Sequence, residues 1–192
     1  MPNNQEPQQT TITLHGVFMD VFSLGILLAG SSGIGKSEIA LGLIGRGHRL
    51  IADDAVTFEL TEKHSLIGSC PEILQDFLEV RGLGILNIRA MYGDSAIKKT
   101  MPLQLIVNLI DVDDNIFKES DRLIGIHDQR KIIGTEITEV TIPVGPGRNL
   151  SVLIEAAVRS YRLRLTGYNA IEDFTDKQKR YLESMTKSNQ DK

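Results

Sequence analysis

One glycine-rich stretch constrains the fold of this 192-residue chain more than any other part of it. Residues 30–37 match the phosphate-binding pattern G-x-x-x-x-G-K-[ST] at every fixed position. An apolar run over residues 25–29 leads into the stretch and a helical pattern follows it, which is the setting that the motif requires. The sequence therefore predicts a buried strand, a phosphate loop and a helix, with a site for a nucleotide or another polyphosphate.

Each type of residue in the loop has its own chemical task. The glycines allow backbone angles that a Cβ would exclude, so that successive N–H groups can converge on an anion at a helix N-terminus. Lys36 would bring a mobile positive charge to the β/γ-phosphates, and the Ser37 hydroxyl would ligate Mg²⁺. The predicted nucleotide-binding residues are Gly30, Ser31, Ser32, Gly33, Ile34, Gly35, Lys36 and Ser37. The alternative is a glycine-rich turn that only caps a strand.

Composition excludes several classes of protein. Hydrophobic residues make up 41% of the chain and charged residues 24%, which is ordinary for a soluble domain. The single cysteine, Cys70, excludes an internal disulfide and a cysteine-based zinc site. No apolar run is long enough to span a membrane, and the N-terminus lacks the features of a signal peptide. We therefore expect a cytoplasmic protein with no membrane partner, and the net charge of -4 argues against a nucleic-acid partner.

The pattern of strands and helices predicts an α/β fold with one mixed sheet. Apolar and alternating patterns predict extended segments at residues 11–18, 22–29, 48–60, 65–69, 103–112 and 136–144. Helical spacing predicts a short helix at residues 37–44 and the longest helix of the chain at residues 150–161. Because several strands follow one another without a helix between them, a mixed sheet is favoured over a parallel one.

We expect a single domain. Residues 1–10 are rich in Pro, Asn and Gln and predict a flexible lead-in, whereas residues 176–192 form a charged, partly helical tail. Residues 11–175 lie between them without a repeat or a linker and predict the folded domain.

An acidic pair supplies the second candidate site. Asp53 and Asp54 follow an apolar strand, and a carboxylate in that position typically holds Mg²⁺ or orients the attacking group. Neighbours on a strand point to opposite faces, so both side chains reach one site only if the strand ends or bends there. Otherwise one of them is a solvated turn residue. Asp111, at the end of another apolar strand, is a further candidate, although the acidic loop that it begins favours a solvated position.

Several motifs together resemble the bacterial HPr kinase/phosphorylase family. The matching segments are the loop, residues 48–54, the family signature at residues 78–85, and then residues 121–123, 142–144 and 147–149 in the same order. The resemblance runs from about His15 to Tyr168. It implies a fold like that of phosphoenolpyruvate carboxykinase and a homo-oligomer, namely a hexamer. It also implies an enzyme that phosphorylates a regulatory serine of the phosphocarrier protein HPr with ATP or pyrophosphate, and removes that phosphate by phosphorolysis.

The resemblance assigns roles to residues from across the chain. The implied catalytic residues are His15, Lys36, Asp54 and Arg122, and the implied magnesium ligands are Ser37 and Glu79, with Asp53 as a further candidate. Asp54 would take the serine proton in the kinase direction and return it in phosphorolysis. Residues 143–148 match a segment that is important for dephosphorylation.

Two departures from the family and two alternatives stay open. Ser31 stands where the family usually has aspartate, so we expect an altered preference for nucleotide or metal. Full-length members also carry an additional N-terminal domain, so this chain is either a catalytic domain by itself or a natural short form. The alternatives are a P-loop kinase of another protein or small molecule, and a nucleotide-sensing module without turnover. The joint presence of Lys36, Asp54, Glu79 and Arg122 argues against the sensing module.

Overall fold

A computed structural model describes residues 10–111 and 125–190 of the chain. Within these residues, nine strands form one mixed sheet and two more form a separate hairpin, which confirms the predicted α/β class. The strands are β1 (Thr11–His15), β2 (Val17–Val21), β3 (Leu24–Gly30), β4 (Arg49–Ala52), β5 (Ala55–Leu60), β6 (Leu66–Ser69), β7 (Phe77–Val80), β8 (Gly84–Asn87), β9 (Thr100–Asp111), β10 (Ile126–Ile132) and β11 (Thr135–Val144). The helices are α1 (Lys36–Ile44), α2 (Ile88–Tyr92), α3 (Leu150–Leu165) and α4 (Ala170–Gln190).

The long strand β9 connects the parts of the sheet. The strands run in the order β1-β5-β6-β9-β3-β2-β4, and β11, with β10 beside it, also pairs with β9. β9 begins antiparallel to β6 and continues parallel to both β3 and β11. The carboxyl ends of these three parallel strands therefore lie at one edge of the sheet, where α/β proteins commonly bind their ligands.

Two of the predicted extended segments are divided in the structure. The segment 11–18 breaks at Gly16, so that β1 pairs with β5 whereas β2 pairs with β3 and β4. A Cβ at Gly16 would lie 2.5 Å from the carbonyl oxygen of Leu28, and its φ of 155° favours glycine. The segment 48–60 likewise separates into β4 and β5 around the acidic pair. The sequence pattern does not reveal these breaks, because the residues before and after each break are similarly apolar.

Apolar side chains cover both faces of the sheet. On one face, α1 and α3 bury Leu43, Ile154 and Val158 against the strands. On the other face, Phe18 and Phe58 meet edge to face with their ring centroids 5.2 Å apart. The helix that follows the phosphate loop is thus held firmly on the sheet.

The prediction that the helix near residues 150–161 is the longest is wrong. α3 has 16 residues and α4 has 21. The sequence of α4 is dominated by charged and polar residues, and contacts along its own surface, such as the ion pair between Asp173 and Lys177, support it. α4 also runs through residue 175, where the sequence analysis ended the domain. No helix within residues 10–111 and 125–190 is both long and apolar enough to cross a membrane.

Candidate active site

The phosphate loop connects the end of β3 to the start of α1. A Cβ at Gly30 would lie 2.5 Å from the carbonyl oxygen of Leu109 in β9, so the loop leaves the sheet at a point where only glycine fits. Gly33 and Gly35 have φ angles of 82° and 99°, which strongly favour glycine. The loop therefore turns tightly into α1 and leaves the N-terminus of that helix accessible to an anion.

The side chain of Lys36 folds back over the phosphate loop. Its Nζ donates to the carbonyl oxygens of Gly30 at 3.0 Å and Ser31 at 2.9 Å. These contacts hold the ammonium group at the mouth of the loop. Ser37 is the next residue of α1 and lines the same cavity. The predicted cation and the predicted hydroxyl ligand are thus neighbours in the first turn of one helix.

The acidic pair lies at a sharp bend between β4 and β5. Asp54 has a φ of 63°, in the left-handed region, and the N–H of Ala55 donates to the carbonyl oxygen of Asp53 at 2.8 Å. The strand therefore ends and bends at this point, which is the condition under which both carboxylates can reach one site. Both side chains line the cavity beside the loop.

The two carboxylates have different surroundings. Asp53 is half-buried, and its Oδ2 accepts a hydrogen bond from the backbone N–H of Glu79 at 2.9 Å. Burial raises the pKa of Asp53 against the opposing effect of the backbone N–H groups of Glu79 and Asp54. Asp54 is exposed, and its Oδ1 lies 3.5 Å from Nδ1 of His15. Asp53 is thus engaged by a backbone N–H of the hairpin, whereas the Asp54 side chain is largely exposed to solvent.

Cys70 lies next to Asp53 of the acidic pair. Its thiol is half-buried, and burial raises its pKa to about 11 although a hydrogen bond from the Asp53 backbone acts in the opposite direction. The thiol is therefore protonated near neutral pH.

The separate β7–β8 hairpin brings the signature segment to the cavity. Leu78 and Val80 are 0% and 3% exposed and anchor the hairpin in the core. Because successive residues of a strand alternate in direction, Glu79 points the opposite way. Both Glu79 and Arg81 line the cavity.

The cavity has a volume of about 200 Å³ and combines groups of both charges. Its lining residues are Ser32, Gly33, Gly35, Lys36, Ser37, Glu38, Asp53, Asp54, Glu79 and Arg81. Within the described parts of the chain, no three His, Cys, Asp or Glu side chains are grouped as a metal site. Mg²⁺ typically uses only one or two carboxylates together with water and substrate phosphates, so this donor set still fits it. The arrangement is suited to holding a polyphosphate.

The structure brings most of the predicted site residues together. Gly30, Ser31 and Ile34 are not among the residues that line the cavity. His15 lies beside the cavity, 3.5 Å from the carboxylate of Asp54. Arg122 lies outside the described residues. Asp111 ends β9 and does not belong to the cavity lining.

Sequence analysis missed Arg81. It follows Glu79 by two positions, and the two-residue period of a strand continued by one residue would have placed both side chains on one face. That period was a usable signal, although the two glycines that follow suggested a turn rather than a strand.

The segment 143–148 lies next to the phosphate-loop helix. Nη1 of Arg148 donates to the carbonyl oxygen of Pro143 at 3.1 Å, which closes the segment into a compact turn. Gly147 and Arg148 line a second, shallow depression together with Glu38 of α1. The segment thus borders the first turn of the helix that carries Lys36.

These features define a P-loop domain with an acidic site facing its phosphate loop. The chain belongs to the HPr Serine kinase C-terminal domain family, whose sequence model matches residues 8–178. This confirms the resemblance inferred from the motifs.

Known proteins similar to the chain agree with the family. It is 48% identical over 178 residues to the HPr kinase/phosphorylase of Neisseria meningitidis serogroup B, covering 93% of this chain and 56% of that protein. It is 50% identical over 171 residues to the HPr kinase/phosphorylase of an Azoarcus species, covering 89% and 54%. The chain thus spans little more than half the length of these curated relatives.

A solved structure provides a third comparison. The structure of the Hpr(Ser) kinase/phosphatase from Coxiella burnetii matches this chain with a TM-score of 0.77 and 33% sequence identity. The match covers 85% of this chain and 98% of that one. The fold described above is therefore the fold of this family.

Proposed function

We propose that this chain is the catalytic domain of a bifunctional serine kinase/phosphorylase. In the forward direction it would transfer a phosphoryl group from ATP or pyrophosphate to a regulatory serine of HPr. In the reverse direction inorganic phosphate would attack the phosphoserine, releasing the serine hydroxyl and pyrophosphate. The observation that carries this proposal is the single cavity in which the phosphate loop, the acidic pair and Glu79 meet.

Asp54 is the proposed general base. Its carboxylate lines the cavity and is exposed, so that a protein hydroxyl could approach it, whereas Asp53 already accepts the Glu79 N–H. In the kinase direction the serine oxygen bonds to the phosphorus as the bond to the leaving phosphate oxygen breaks, and Asp54 takes the serine proton. In phosphorolysis Asp54 returns that proton to the departing serine oxygen. His15, 3.5 Å from Asp54, would help to orient the carboxylate.

Lys36 and a magnesium site would neutralise the phosphates. The Ser37 hydroxyl and the Glu79 carboxylate are the proposed Mg²⁺ ligands, and Asp53 is a further candidate. When bound, Mg²⁺ would offset the charge that develops on the transferred group. On binding, Lys36 would exchange its contacts with the loop carbonyls of Gly30 and Ser31 for contacts with phosphate oxygens. Arg122 is the remaining proposed catalytic residue and lies outside the described part of the chain.

Ser31 is proposed to adjust the choice of donor or metal. Its carbonyl oxygen accepts a hydrogen bond from Lys36, and its side chain is exposed. An aspartate at this position would add a negative charge beside the phosphates. The serine removes that charge and would therefore change the preference among ATP, pyrophosphate and metal ions.

The proposed assembly is a homo-oligomer, namely a hexamer. We also propose that residues 11–175 form the folded domain and that the protein is cytoplasmic. Exposed apolar side chains on α3 and α4 support an interface between copies: Leu163, Leu165, Phe174, Tyr181 and Met185 are each at least half exposed. Light scattering coupled to size-exclusion chromatography measures the assembly, and a monomer at micromolar concentration would contradict the proposal.

The decisive experiment is incubation with HPr, Mg²⁺ and labelled ATP or pyrophosphate. We expect phosphoserine on HPr, and release of pyrophosphate when phosphate is added to the purified phosphoprotein. Asp54→Asn should lower both rates by roughly 10²–10⁴-fold while sparing nucleotide binding. If nucleotide binds but HPr acquires no phosphoserine, the substrate assignment fails. Turnover on another acceptor would then indicate a different P-loop kinase, and binding without any turnover would indicate a nucleotide-sensing module.

A further inference from the structure

A buried carboxylate that the proposed mechanism does not use lies on β2, beside the strand that leads to the acidic pair. Asp20 is only 3% exposed. Its Oδ2 accepts hydrogen bonds from Nη2 of Arg49, the first residue of β4, and from Nζ of Lys98 at 3.0 Å. A carboxylate buried to this extent requires such partners. These three side chains, here called the Asp20 cluster, therefore form one ionic unit at the start of β4.

Backbone pairing holds β4 weakly. The strand has four residues and lies at the end of the strand order, where it pairs with β2 alone among the described strands. On its other side, the N–H of Lys98 donates to the carbonyl oxygen of Leu50 at 2.8 Å, next to an isolated bridge between Leu50 and Ile97. With so few backbone contacts, the position of β4 depends strongly on its side chains.

The apolar side chains of β4 do not specify its register by themselves. Leu50 packs in the core on one face of the sheet, whereas Ile51 and Ala52 pack on the other face. The pairing with β2 also shifts its register between Phe18 and Met19, as at a β-bulge. A strand that is apolar on both faces can slip by one residue and remain buried, although the slip reverses the direction of every side chain.

The register of β4 determines where the acidic pair lies, because Asp53 and Asp54 directly follow the strand. Beyond the strand, the N–H of Gly16 donates to the carbonyl oxygen of Asp54 at 3.2 Å, and Asp53 accepts the N–H of Glu79. The phosphate loop, in contrast, continues β3 and leads into α1. A displacement of β4 would therefore move the two carboxylates relative to the loop.

We propose that Asp20 is a positioning residue for the general base. Asp20 pairs with Arg49 in the register between β2 and β4, and its cluster fixes that register and thereby the place of Asp54 beside the phosphate loop. Asp20 acts through the backbone of β4 and touches no reacting atom. A misplacement of about 1 Å can cost a reaction roughly 10²-fold in rate. The inference rests on the proposed function, since it takes Asp54 as the base.

Steady-state kinetics and calorimetry on the full chain test the proposal. Asp20→Asn leaves Arg49 and Lys98 as two neighbouring cations that repel each other. We expect turnover of HPr to fall by roughly 10–100-fold while ATP affinity stays at the wild-type value, because the phosphate loop does not depend on β4.

Two variants of Lys98 keep the test valid even where Asp20→Asn does not fold. Lys98→Met retains the pair of Asp20 with Arg49 and should lower turnover less than Asp20→Asn does. Lys98→Arg retains the second cation and should keep wild-type turnover. Equal turnover in Lys98→Met and Lys98→Arg would contradict the role of the cluster.

Hydrogen exchange measured by NMR follows the backbone without any substrate. The N–H groups of Lys98 and Gly16 report on β4 and on the acidic pair. We expect both to exchange faster in Asp20→Asn, whereas the N–H groups of α1 keep their wild-type rates. Val158→Ala, in the buried core of α3, is the control for a general loss of stability and should leave turnover and these two amides unselected. Uniformly faster exchange in Asp20→Asn would show a merely structural role and overturn the proposal.

The outcomes separate this inference from the proposed function. Wild-type turnover in Asp20→Asn, or a loss of ATP affinity as large as the loss of turnover, overturns the positioning role and leaves the proposed function intact. A wild-type protein that phosphorylates no HPr refutes the proposed function. Selectively faster exchange at Lys98 and Gly16 in Asp20→Asn would even then support the control of the β4 register by Asp20.

Discussion

The phosphate loop and the β7–β8 hairpin face the same cavity but are anchored differently. The loop continues a central strand of the nine-stranded sheet, and the helix that follows it buries Ile39, Ala40, Leu43 and Ile44. The hairpin forms its own two-stranded sheet. Leu78 and Val80 anchor it in the core, and the hydrogen bond from Glu79 to Asp53 joins it to the acidic pair.

The difference separates two tasks of the site. The backbone groups that would bind phosphate belong to a loop that is held between a central strand and α1, whereas Glu79 and Arg81 belong to an element with fewer anchors. Elements with few buried contacts open at lower free energy than core strands. We therefore expect the hairpin to open locally more readily than the loop, and mutations in the two regions to have different signatures.

Lys36→Ala should have the largest effect. Removing the cation of the loop should lower turnover by on the order of 10⁴-fold and abolish measurable nucleotide binding, since Lys36 is the group proposed to contact the β/γ-phosphates. Calorimetry with ATP and a turnover assay measure the two effects. Lys63→Ala, an exposed lysine in the turn between β5 and β6, is the control and should behave as wild type. Retained ATP affinity in Lys36→Ala would contradict the loop as the main phosphate site.

Glu79→Gln tests the hairpin at its proposed metal ligand. The backbone N–H that donates to Asp53 remains in this variant, so the hairpin should stay in place. We expect turnover to fall by roughly 10²–10³-fold and to need more Mg²⁺ for half-saturation. A magnesium titration of the rate measures this, with the exposed Glu72→Gln as control. An unchanged magnesium dependence would remove Glu79 from the ligand set.

Leu78→Ala tests the anchoring of the hairpin. The side chain is fully buried, and its truncation should lower the free energy of unfolding by about 3 kcal/mol. Hydrogen exchange should quicken mainly within β7 and β8. Leu43 is an equally buried leucine on α1. Leu43→Ala should lower the free energy of unfolding by a similar amount without selectively accelerating hydrogen exchange in β7 and β8. Uniform quickening across the chain in both variants would show that the two regions unfold together.

Glu155→Gln tests the contacts through which α3 holds the C-terminal end of α1. Of the variants considered, it should have the smallest effect on stability. Glu155 accepts from Arg46 at 2.6 Å and contacts Nε2 of His48 at 2.9 Å, beyond the end of α1. The Arg46 hydrogen bond, with a smaller contribution from His48, outweighs burial and lowers the pKa of Glu155 to about 2. We expect the variant to lose about 1–3 kcal/mol of stability at neutral pH.

The pH dependence of that loss follows from the direction of the shift. A carboxyl with a lowered pKa in the folded state contributes its full stability above its unfolded pKa of 4.5, and this contribution disappears as the pH falls toward 2. Urea unfolding at pH 7, 4 and 3 should therefore show the variant and wild type converging in acid. Glu62→Gln, at an exposed position, is the control. A difference that stays constant with pH would contradict this account.

Sequence patterns predicted some elements of this site better than others. The loop and α1 were predicted nearly to the residue, because glycine conformations and the helix start are determined within a few neighbouring positions. The strands of the hairpin were not predicted, because the alternation of apolar and polar residues at 78–81 is short and the glycines at 82 and 84 suggested a turn. The resemblance to the family identified Glu79 as part of the site, but it did not say which element carries it.

The sequence by itself determined the phosphate loop, the α/β class and the family, because each depends on patterns of residues that are close together in the chain. Only the tertiary structure decided which side chains share the cavity. The bend at Asp54, the division of residues 11–18 between two places in the sheet, and the contact between Arg81 and Gly33 all depend on strands that are distant in the chain. Such contacts arise from the packing of the whole core, and no short pattern in the sequence specifies them.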